Sequence, residues 1–445
     1  MSMTRRKFLG TSAAVVGAAA ATAASFSANS YARILGANDR INLGFMGTNS
    51  RGAALLGSFV SNGGINITNI CDVDSRVIDK TSATVKKLGF DMPKATDDIR
   101  VMLEDKNMDA IVIAAPDHWH ATAGVMALQA GKHVYVEKPL SHNPHEGEIF
   151  IEAQKKYGKV VQMGNQQRSS VETQELIKYI HDGMLGNCYR AETWYGNERG
   201  SIGNGKVAAV PDWLNWDLWQ GPAPRTEYKD NYVHYNWHWF WNWGTAELCN
   251  NAAHELDIAR WALGVDFPEQ VSVTAGRNFY TDDDWEMYDT MQARYSFKEG
   301  KSIEWTGNSC NNVKRFGRGR GTLILGTKGY VIVDRAGFEI YDLSGKLVKE
   351  RKVAGRAVNT SDLMGGGVLT DNHTANFLEN IRGTATHQSS PATEGHTSTM
   401  LCHLGNIAYR TGETVQCDSA NGKVKGDKAN ALWGREFQSG WDLKA

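Results

Sequence analysis

The stretch that most constrains the fold runs from Ile41 to Gly52. Ile41 to Met46 is an apolar run of strand length, a glycine-containing turn begins at Gly47, and Ala53 opens a helical pattern. A strand, a glycine turn and a helix in this order predict a cradle for the pyrophosphate of a dinucleotide, because free backbone N–H groups at the helix start face the phosphates. An ordinary strand–turn–helix is the alternative interpretation.

The cradle is expected to consist of Gly47, Asn49, Ser50, Arg51 and Gly52. The usual fingerprint has glycine at its second position, where this chain has Asn49. Asparagine tolerates positive φ better than most residues, so we expect the turn to be kept.

A carboxylate at the end of the next strand strengthens this interpretation. Asp72 follows an apolar run and lies 20 positions after Gly52, where a ribose-binding acid belongs. A carboxylate there accepts hydrogen bonds from a free 2′-hydroxyl and repels a 2′-phosphate, so NAD is favoured over NADP. A helix-capping aspartate is the alternative interpretation.

Residues 1–32 are predicted to be an export leader. Thr4–Leu9 contains Arg5 and Arg6 and resembles the twin-arginine motif, and an alanine-rich apolar run follows it. A membrane anchor is the alternative, but the run is made of small residues and lacks a flanking stop signal. We therefore expect a periplasmic protein without stable membrane insertion, carrying a nucleotide bound before export.

Composition excludes several other classes of protein. The 445 residues carry a formal net charge of −1 and no basic block, so nucleic acid is not an expected partner. The 6 cysteines show no CxxC pair or regular spacing, so neither a metal site nor a disulfide framework is predicted.

The order of predicted elements divides the chain into two domains. From residue 38 to 164, strands alternate with helices, which predicts a parallel sheet covered on both faces: a Rossmann nucleotide-binding domain. In residues 165–445, short alternating strands joined by polar turns predict an α+β domain with a large, mainly antiparallel open sheet. The predicted fold class is therefore α/β, and the open sheet suggests a homodimer or homotetramer.

Five segments together carry a resemblance to a known family: Gly47–Gly52, Ala114–His120, Ala130–Leu140, Met163–Arg168 and His254–Trp261. They resemble the oxidoreductases that include glucose–fructose oxidoreductase, inositol dehydrogenase and MocA. The resemblance implies a nucleotide domain, a second domain that supplies the substrate pocket, and NAD(P)-linked chemistry on a small-molecule carbohydrate or cyclic polyol.

Two residues are predicted to handle protons. Lys138, within the Glu-Lys-Pro segment, follows a strand at the carboxyl edge of the sheet, where ligands bind in open α/β folds. His254 is the candidate general base. A surface lysine and a buried structural histidine are the alternatives. The family commonly has aspartate four residues before this histidine, and Asn250 stands there instead, so a carboxylate-assisted relay is not expected.

The resemblance and the positions after strand ends indicate further contacts. The expected nucleotide-binding residues outside the cradle are Asp72, Pro116, His118, His120, Glu137, Lys138, Asn165 and Gln166. The expected substrate-binding residues are Gln166, Arg168, Trp216, His238, Trp239, Asn250 and Asp257.

The three aromatic residues in that set come from a tryptophan-rich region between residues 212 and 243. Flat rings suit the C–H faces of sugars, and neighbouring polar side chains can bind hydroxyls. Core packing of a long loop is the alternative for any single tryptophan.

Three functions fit these features. The first is an oxidoreductase acting on a secondary hydroxyl of a sugar, glycoside or cyclic polyol, with tightly bound nucleotide. The second is a glycoside hydrolase in which C3 is transiently oxidised and the aglycone leaves by elimination. The third is a non-catalytic sugar-binding protein.

Overall fold

A computed structural model describes residues 40–353 and 367–445. The predicted leader, residues 1–32, lies outside the described residues. Within the described ranges, no helix combines the length and apolarity needed to cross a membrane. No group of three His, Cys, Asp or Glu side chains in those ranges could hold a metal ion.

The N-terminal part of the chain forms a six-stranded parallel sheet. Its strands are β1 (Ile41–Met46), β2 (Ile65–Cys71), β3 (Lys94–Thr96), β4 (Ala110–Ile113), β5 (His133–Val136) and β6 (Val161–Met163). The helices between them are α1 (Ser50–Asn62), α2 (Ser75–Lys87), α3 (Ile99–Leu103), α4 (Asp117–Gln129) and α5 (Pro144–Tyr157). The strand order is β3-β2-β1-β4-β5-β6, so the chain changes direction across the sheet between β1 and β4. Ligands of open α/β sheets bind outside the carboxyl ends of the strands at such a point.

Local sequence explains the helix ends in this part. The Asn143 side chain accepts a hydrogen bond from the Glu146 backbone N–H at 3.0 Å, and Pro144 occupies the first turn of α5. Gly158 ends the same helix in the left-handed conformation, with φ +62°.

The second part of the chain forms a nine-stranded sheet. Its strands are β7 (Cys188–Gly196), β8 (Gln270–Gly276), β9 (Thr290–Ser296), β10 (Ser302–Asn308), β11 (Arg320–Gly326), β12 (Gly329–Asp334), β13 (Gly337–Asp342), β14 (Leu347–Lys352) and β15 (Val415–Gln416). Their order is β14-β13-β12-β11-β7-β10-β9-β8-β15, and among these described strands only β7 and β10 pair in parallel. The two sheets confirm the predicted α/β fold class with a mainly antiparallel second sheet.

Helices cover one face of the nine-stranded sheet. The α-helices of this part are α6 (Val171–His181), α7 (Trp216–Gln220), α8 (Ala253–Leu263), α9 (Val368–Arg382), α10 (Ala392–Thr411) and α11 (Asp427–Asn430). Short 3₁₀ segments are Gln166–Ser169, Asn236–Trp239 and Lys298–Gly300, and Leu248–Ala252 is π-helical. Apolar residues of α6, α8 and α10 pack on the sheet in one core. Strand alternation leaves Arg190, Glu192, Arg294 and Glu304 on the opposite face, where they form ion pairs.

One C-terminal helix returns to the first sheet. The Phe377 ring of α9 meets Phe59 of α1 at 6.1 Å between centroids, edge to face. The Ser58 hydroxyl donates to Asp371 at 2.6 Å. The first core therefore includes residues more than 200 positions beyond the predicted domain boundary at residue 164, because the exposed side of α1 needs an apolar cover.

The glycine turn after β1 adopts the predicted cradle shape by a different backbone route. Gly47 has φ +76°, and Ser50, not Asn49, is the non-glycine residue at positive φ, +40°. Asn49 is extended, with φ −80°, so its tolerance of positive φ is not used. A Cβ on Gly52 would lie 1.9 Å from the Gly47 carbonyl oxygen, which explains the glycine there.

We expect the Gly52→Ala substitution to open this turn, since the added methyl group overlaps the Gly47 carbonyl. Overpacking of this kind costs about 1–3 kcal/mol, and the purified protein should lose bound nucleotide. Gly57→Ala in the same helix is the matched control, because no atom from outside its own stretch of helix lies within 4 Å of the added Cβ. The free energy of unfolding of the control, measured in urea, should rise by up to about 1 kcal/mol, because alanine has a higher helix propensity than glycine. Equal nucleotide content in the two variants would contradict the proposed role of Gly52.

Candidate active site

A cavity of about 360 Å³ opens at the carboxyl edge of the parallel sheet. Both halves of the chain line it, the first through β1, β2, β4 and β5 and their following turns, and the second through residues 218–254 and two arginines. Of the residues predicted from sequence, the following line it: Gly47, Asn49, Ser50, Arg51, Asp72, Pro116, His120, Glu137, Lys138, Gln166, His238, Asn250 and His254.

Asp72 lines the cavity beside the glycine turn. One of its carboxylate oxygens accepts from the Thr48 backbone N–H at 2.8 Å, and the other accepts from the Asp74 backbone N–H at 3.1 Å. Burial raises the pKa of Asp72, partly offset by these two hydrogen bonds. A carboxylate held in this orientation beside the glycine turn suits a ribose diol and disfavours a phosphate at the same position.

Glu137 lies in the middle of the cavity in a polar network. Its Oε1 accepts from Arg51 Nε at 2.7 Å and from Gln166 Nε2 at 3.0 Å. Burial alone would raise the pKa of Glu137, but the charges of Arg51 and Lys138 outweigh it and hold the pKa below its usual range. The carboxylate is therefore an anion at neutral pH, and its position after β5 suits acceptance from a ribose hydroxyl.

Lys138 is held by a turn of the second domain. Its Nζ donates to the Asn250 backbone carbonyl at 2.7 Å and to Asn250 Oδ1 at 3.1 Å. Asn250 lies in the π-helical segment Leu248–Ala252, and single π turns recur at functional sites. Burial lowers the pKa of Lys138, although the carboxylates of Asp117 and Glu137 oppose the shift. A lysine with a lowered pKa gives up its proton more readily than an exposed lysine.

His254 opens into the same cavity from α8. The imidazole makes no hydrogen bond within residues 40–353 and 367–445, so its ring nitrogens are available to a ligand. Burial, followed by the charges of Arg335 and Arg320, places the pKa of His254 well below its usual value. The ring is therefore neutral at neutral pH and can accept a hydrogen bond or a proton.

The cavity also brings together aromatic residues from the tryptophan-rich region. Trp219, Trp237 and His238 line it, and the His238 ring stacks on Trp237 at 3.6 Å between centroids. His238 Nδ1 is bonded to the Tyr235 carbonyl at 2.6 Å, and burial lowers the pKa of His238 to about 3. Because the carbonyl only accepts, Nδ1 carries the hydrogen and Nε2 is left as an acceptor.

Two predicted aromatic residues do not reach the cavity. Trp216 stacks on Trp219 at 4.8 Å, and its indole N–H donates to the Thr226 carbonyl at 3.0 Å. Trp239 is buried against Trp285, with ring centroids 4.0 Å apart. For these two tryptophans, core packing replaces the expected sugar contact.

Arg168 and Asp257 are also predicted to face the substrate, but the structure pairs them with each other away from the cavity. Arg168 Nε lies 2.9 and 2.8 Å from the two oxygens of Asp257, and both side chains are buried. Arg168 also donates to Glu394 at 3.1 Å, and Ser398 donates to Asp257 at 2.5 Å. The pair joins the end of the first sheet to α8 and α10, so its position is that of a structural ion pair.

The remaining predicted residues support the cavity wall. His118 is buried with Nε2 bonded to the Trp219 carbonyl at 3.0 Å. His120 lines the cavity, but its two ring nitrogens contact the Pro139 and Ala115 carbonyls at 2.6 and 2.8 Å. Asn165 is buried beside Gln166 and does not line the cavity.

Several cavity residues carry no signal in the sequence. Asn251, Arg320 and Arg335 come from segments far along the chain, and Asp97 follows the short strand β3. Only the presence of a charged residue at a strand end could have indicated Arg320 and Arg335, and that signal is too common to select them.

The residues present fit an NAD molecule. A Cβ at Gly47 would lie 2.7 Å from the Ala114 carbonyl, so only glycine leaves the space beside the first turn of α1 open. The start of α1, with Ser50 and Arg51, lines the cavity and suits a pyrophosphate at a helix N-terminus, and Asp72 suits the ribose. A parallel sheet with such a turn, opening into a cavity shared with a second sheet, defines a two-domain nucleotide-dependent enzyme.

Comparison with known families agrees with this class. Residues 41–165 match an oxidoreductase family described as an NAD-binding Rossmann fold. Residues 170–339 match the C-terminal alpha/beta domain of the same oxidoreductase family. The two matches cover well over half of the chain, which therefore belongs to the Gfo/Idh/MocA oxidoreductases, with an NAD-binding first domain.

Individual relatives are more distant. A glycosyl hydrolase family 109 protein of Saccharopolyspora erythraea is 26% identical over 208 residues, which is 44% of this chain and 45% of that protein. The chain thus matches less than half the length of this relative.

One similar solved structure is the WlbA dehydrogenase of Bordetella pertussis in complex with NADH and UDP-GlcNAcA. Its TM-score is 0.63 at 19% sequence identity, and the match covers 85% of this chain and 99% of that one. The aldose-aldose oxidoreductase of Caulobacter crescentus, complexed with glycerol, has a TM-score of 0.63 at 17% identity, with the same coverage of 85% and 99%. These two similarities concern the fold.

The buried ion pair provides a test that separates structure from function. We expect Asp257→Asn to destabilise the protein by about 3 kcal/mol or more in urea unfolding, because Arg168 loses its buried counter-charge. Nucleotide content and sugar affinity of the folded fraction should not change. Asp182→Asn is the control, since its ion pair with Lys178 is exposed on both sides and its loss should cost less than about 1 kcal/mol. A sugar-binding defect in a stable Asp257→Asn protein would instead place Asp257 at the substrate.

Proposed function

We propose that this protein is an NAD-dependent oxidoreductase that acts on a secondary hydroxyl of a sugar, glycoside or cyclic polyol. The observation that carries the proposal is that Lys138 and His254, from different halves of the chain, line the same cavity as the glycine turn. Proton-handling groups beside a nucleotide cradle are what oxidation of an alcohol requires.

NAD, when bound, supplies the two-electron oxidation that converts a secondary alcohol to a ketone. Lys138 has two tasks in this reaction. Because its pKa is lowered, its ammonium group gives up a proton more readily than an exposed lysine, and the amine then formed can take the hydroxyl proton. Its N–H groups stabilise negative charge that develops on the oxygen. The Asn250 carbonyl fixes the Nζ position, so the group is oriented before the substrate binds.

His254 is the second proton acceptor. Its neutral ring is not committed to any described partner, so it can bind the reacting hydroxyl or a neighbouring one. His238 Nε2 offers an acceptor for another hydroxyl, and the Trp219 and Trp237 rings offer apolar faces for the C–H groups of a sugar.

A second candidate function uses the same site. The similar curated relative is named a glycosyl hydrolase family 109 protein, which favours glycoside cleavage by transient C3 oxidation and elimination. Lys138 and His254 would then act on both the oxidised carbon and the neighbouring C2 proton. Net oxidation is preferred here because the family matched by both domains is an oxidoreductase family.

Export and assembly are part of the proposal. The twin-arginine-like leader at residues 1–32 supports a periplasmic location, with the nucleotide bound before export. The uncovered face of the nine-stranded sheet supports a homodimer or homotetramer. Size-exclusion chromatography with light scattering tests the assembly.

Replacing Lys138 tests the catalytic assignment. We expect Lys138→Met to lower kcat/KM on a sugar substrate by about 10²–10⁴-fold, the usual contribution of an acid–base group. The control is Lys178→Met, because Lys178 is an exposed lysine paired with Asp182 on the surface. Bound nucleotide, released by denaturation and measured by mass spectrometry, gives the loaded fraction of each variant, and kcat/KM is compared per loaded protein. Unchanged turnover in Lys138→Met would favour a sugar-binding protein over either enzyme.

A chromogenic aryl glycoside separates oxidation from hydrolysis. For an oxidoreductase, absorbance of reduced nicotinamide should rise in the nucleotide-loaded protein without release of the aryl group. Release of the aryl group at many equivalents per protein, without net nicotinamide reduction, would establish the hydrolase instead. The corresponding free sugar serves as the control, because it can be oxidised but has no aglycone to lose.

A further inference from the structure

Arg335 is an unpaired cation at the wall of the cavity. It directly follows β12 and lines the cavity together with His254 and Arg320. Within residues 40–353 and 367–445, its guanidinium group has neither an ion pair nor a hydrogen bond. An arginine left without a partner in a partly buried place is uncommon, because desolvating a charge is unfavourable unless an anion compensates it.

The acids nearest to Arg335 are already engaged. Glu255 forms two hydrogen bonds with Arg320, at 2.7 and 2.9 Å, and Asp334 pairs with Arg318 at 3.0 Å. Burial, followed by the like charge of Arg320, lowers the pKa of Arg335 to about 9. The charge of Glu255 opposes this shift, and the cation is present at neutral pH without an acid in direct contact among the described residues.

The other cations that line the cavity differ from Arg335 in this respect. Arg51 pairs with Glu137 at 2.7 Å, Arg320 pairs with Glu255, and Lys138 is bonded to the oxygens of Asn250. The charge of Lys138 is further balanced by the nearby carboxylates of Asp117 and Glu137. Among the described residues beside His254, Arg335 is thus a cation that no acid pairs with directly. A ligand that carries one negative charge would balance it.

We propose that the sugar substrate is acidic, and that Arg335 binds its singly charged carboxylate or sulfate ester. The planar guanidinium group presents two parallel N–H donors, which match two oxygens of such a group. The inference rests on the proposed function and extends it, since it names the class of sugar and the residue that selects it.

Binding measurements on the nucleotide-loaded protein test this inference directly. The probes are matched pairs: galactose with galacturonic acid, glucose with glucuronic acid, and galactose with galactose 6-sulfate. Isothermal titration calorimetry should show tighter binding of at least one acidic member than of its neutral partner. In Arg335→Gln, that preference should fall by about 10- to 100-fold, the factor expected for a lost charge-assisted hydrogen bond.

Matched variants exclude general effects of charge. Arg294→Gln removes an exposed arginine of the nine-stranded sheet and should keep the preference for the acidic sugar. Arg335→Lys keeps the charge without the planar pair of donors and should keep part of the preference. If Arg335→Gln does not fold, two measurements replace it. One is the acidic-sugar preference of Arg335→Lys, and the other is the weakening of acidic-sugar binding to the unmodified protein as salt is added. The uronate and sulfate pairs show which anion is bound.

Three results would overturn the inference. One is equal affinity for neutral and acidic members of every pair, or no binding of any acidic sugar. Another is an unchanged preference in Arg335→Gln. The third is loss of nucleotide from Arg335→Gln with the preference kept, which would assign Arg335 to the phosphates of NAD. Failure of the proposed oxidation is separate, because an acidic sugar would then bind in an Arg335-dependent manner without being turned over.

Discussion

The contact between the Lys138 ammonium group and the Asn250 carbonyl joins the two halves of the molecule at the cavity. A buried lysine needs oxygen partners, and here they come from a π-helical turn of the second domain. The position of the proposed acid–base group therefore depends on how the second domain packs against the first. Any change in that packing would move Nζ away from the nucleotide cradle and from His254.

The charged side chains of the cavity are consistent with the nucleotide and with the proposed sugar substrate. Asp72 and Glu137 present carboxylates where ribose hydroxyls are expected, and each is held by hydrogen bonds from neighbouring groups. Beside His254, Arg335 is a cation that pairs with no acid among the described residues. Carboxylates and an arginine without a described acid partner thus lie in one cavity, and the two proposals above assign them to different ligands.

Sequence predicts those parts of the site that are formed by neighbouring residues, and not the parts that depend on tertiary packing. The glycine turn and the Glu137–Lys138 segment follow strands whose carboxyl ends meet at one edge, so their convergence was predictable. Arg168, Trp239 and Asp257 were expected at the substrate because of their neighbours in sequence, but each side chain turns into the core. The direction of a side chain depends on packing partners that are distant in sequence. A pattern of neighbouring residues does not identify those partners.

The sequence by itself determined the α/β class, the family and the glycine cradle, because strand and helix periods and short motifs are properties of neighbouring residues. Only the tertiary structure decided that Ser50, not Asn49, has the positive φ. It also decided that α9 covers the first domain, and that Arg320 and Arg335 line the cavity with His254. These features arise where segments far apart in the chain pack together. The packing of lowest free energy depends on all of these segments at once, so no single segment predicts it.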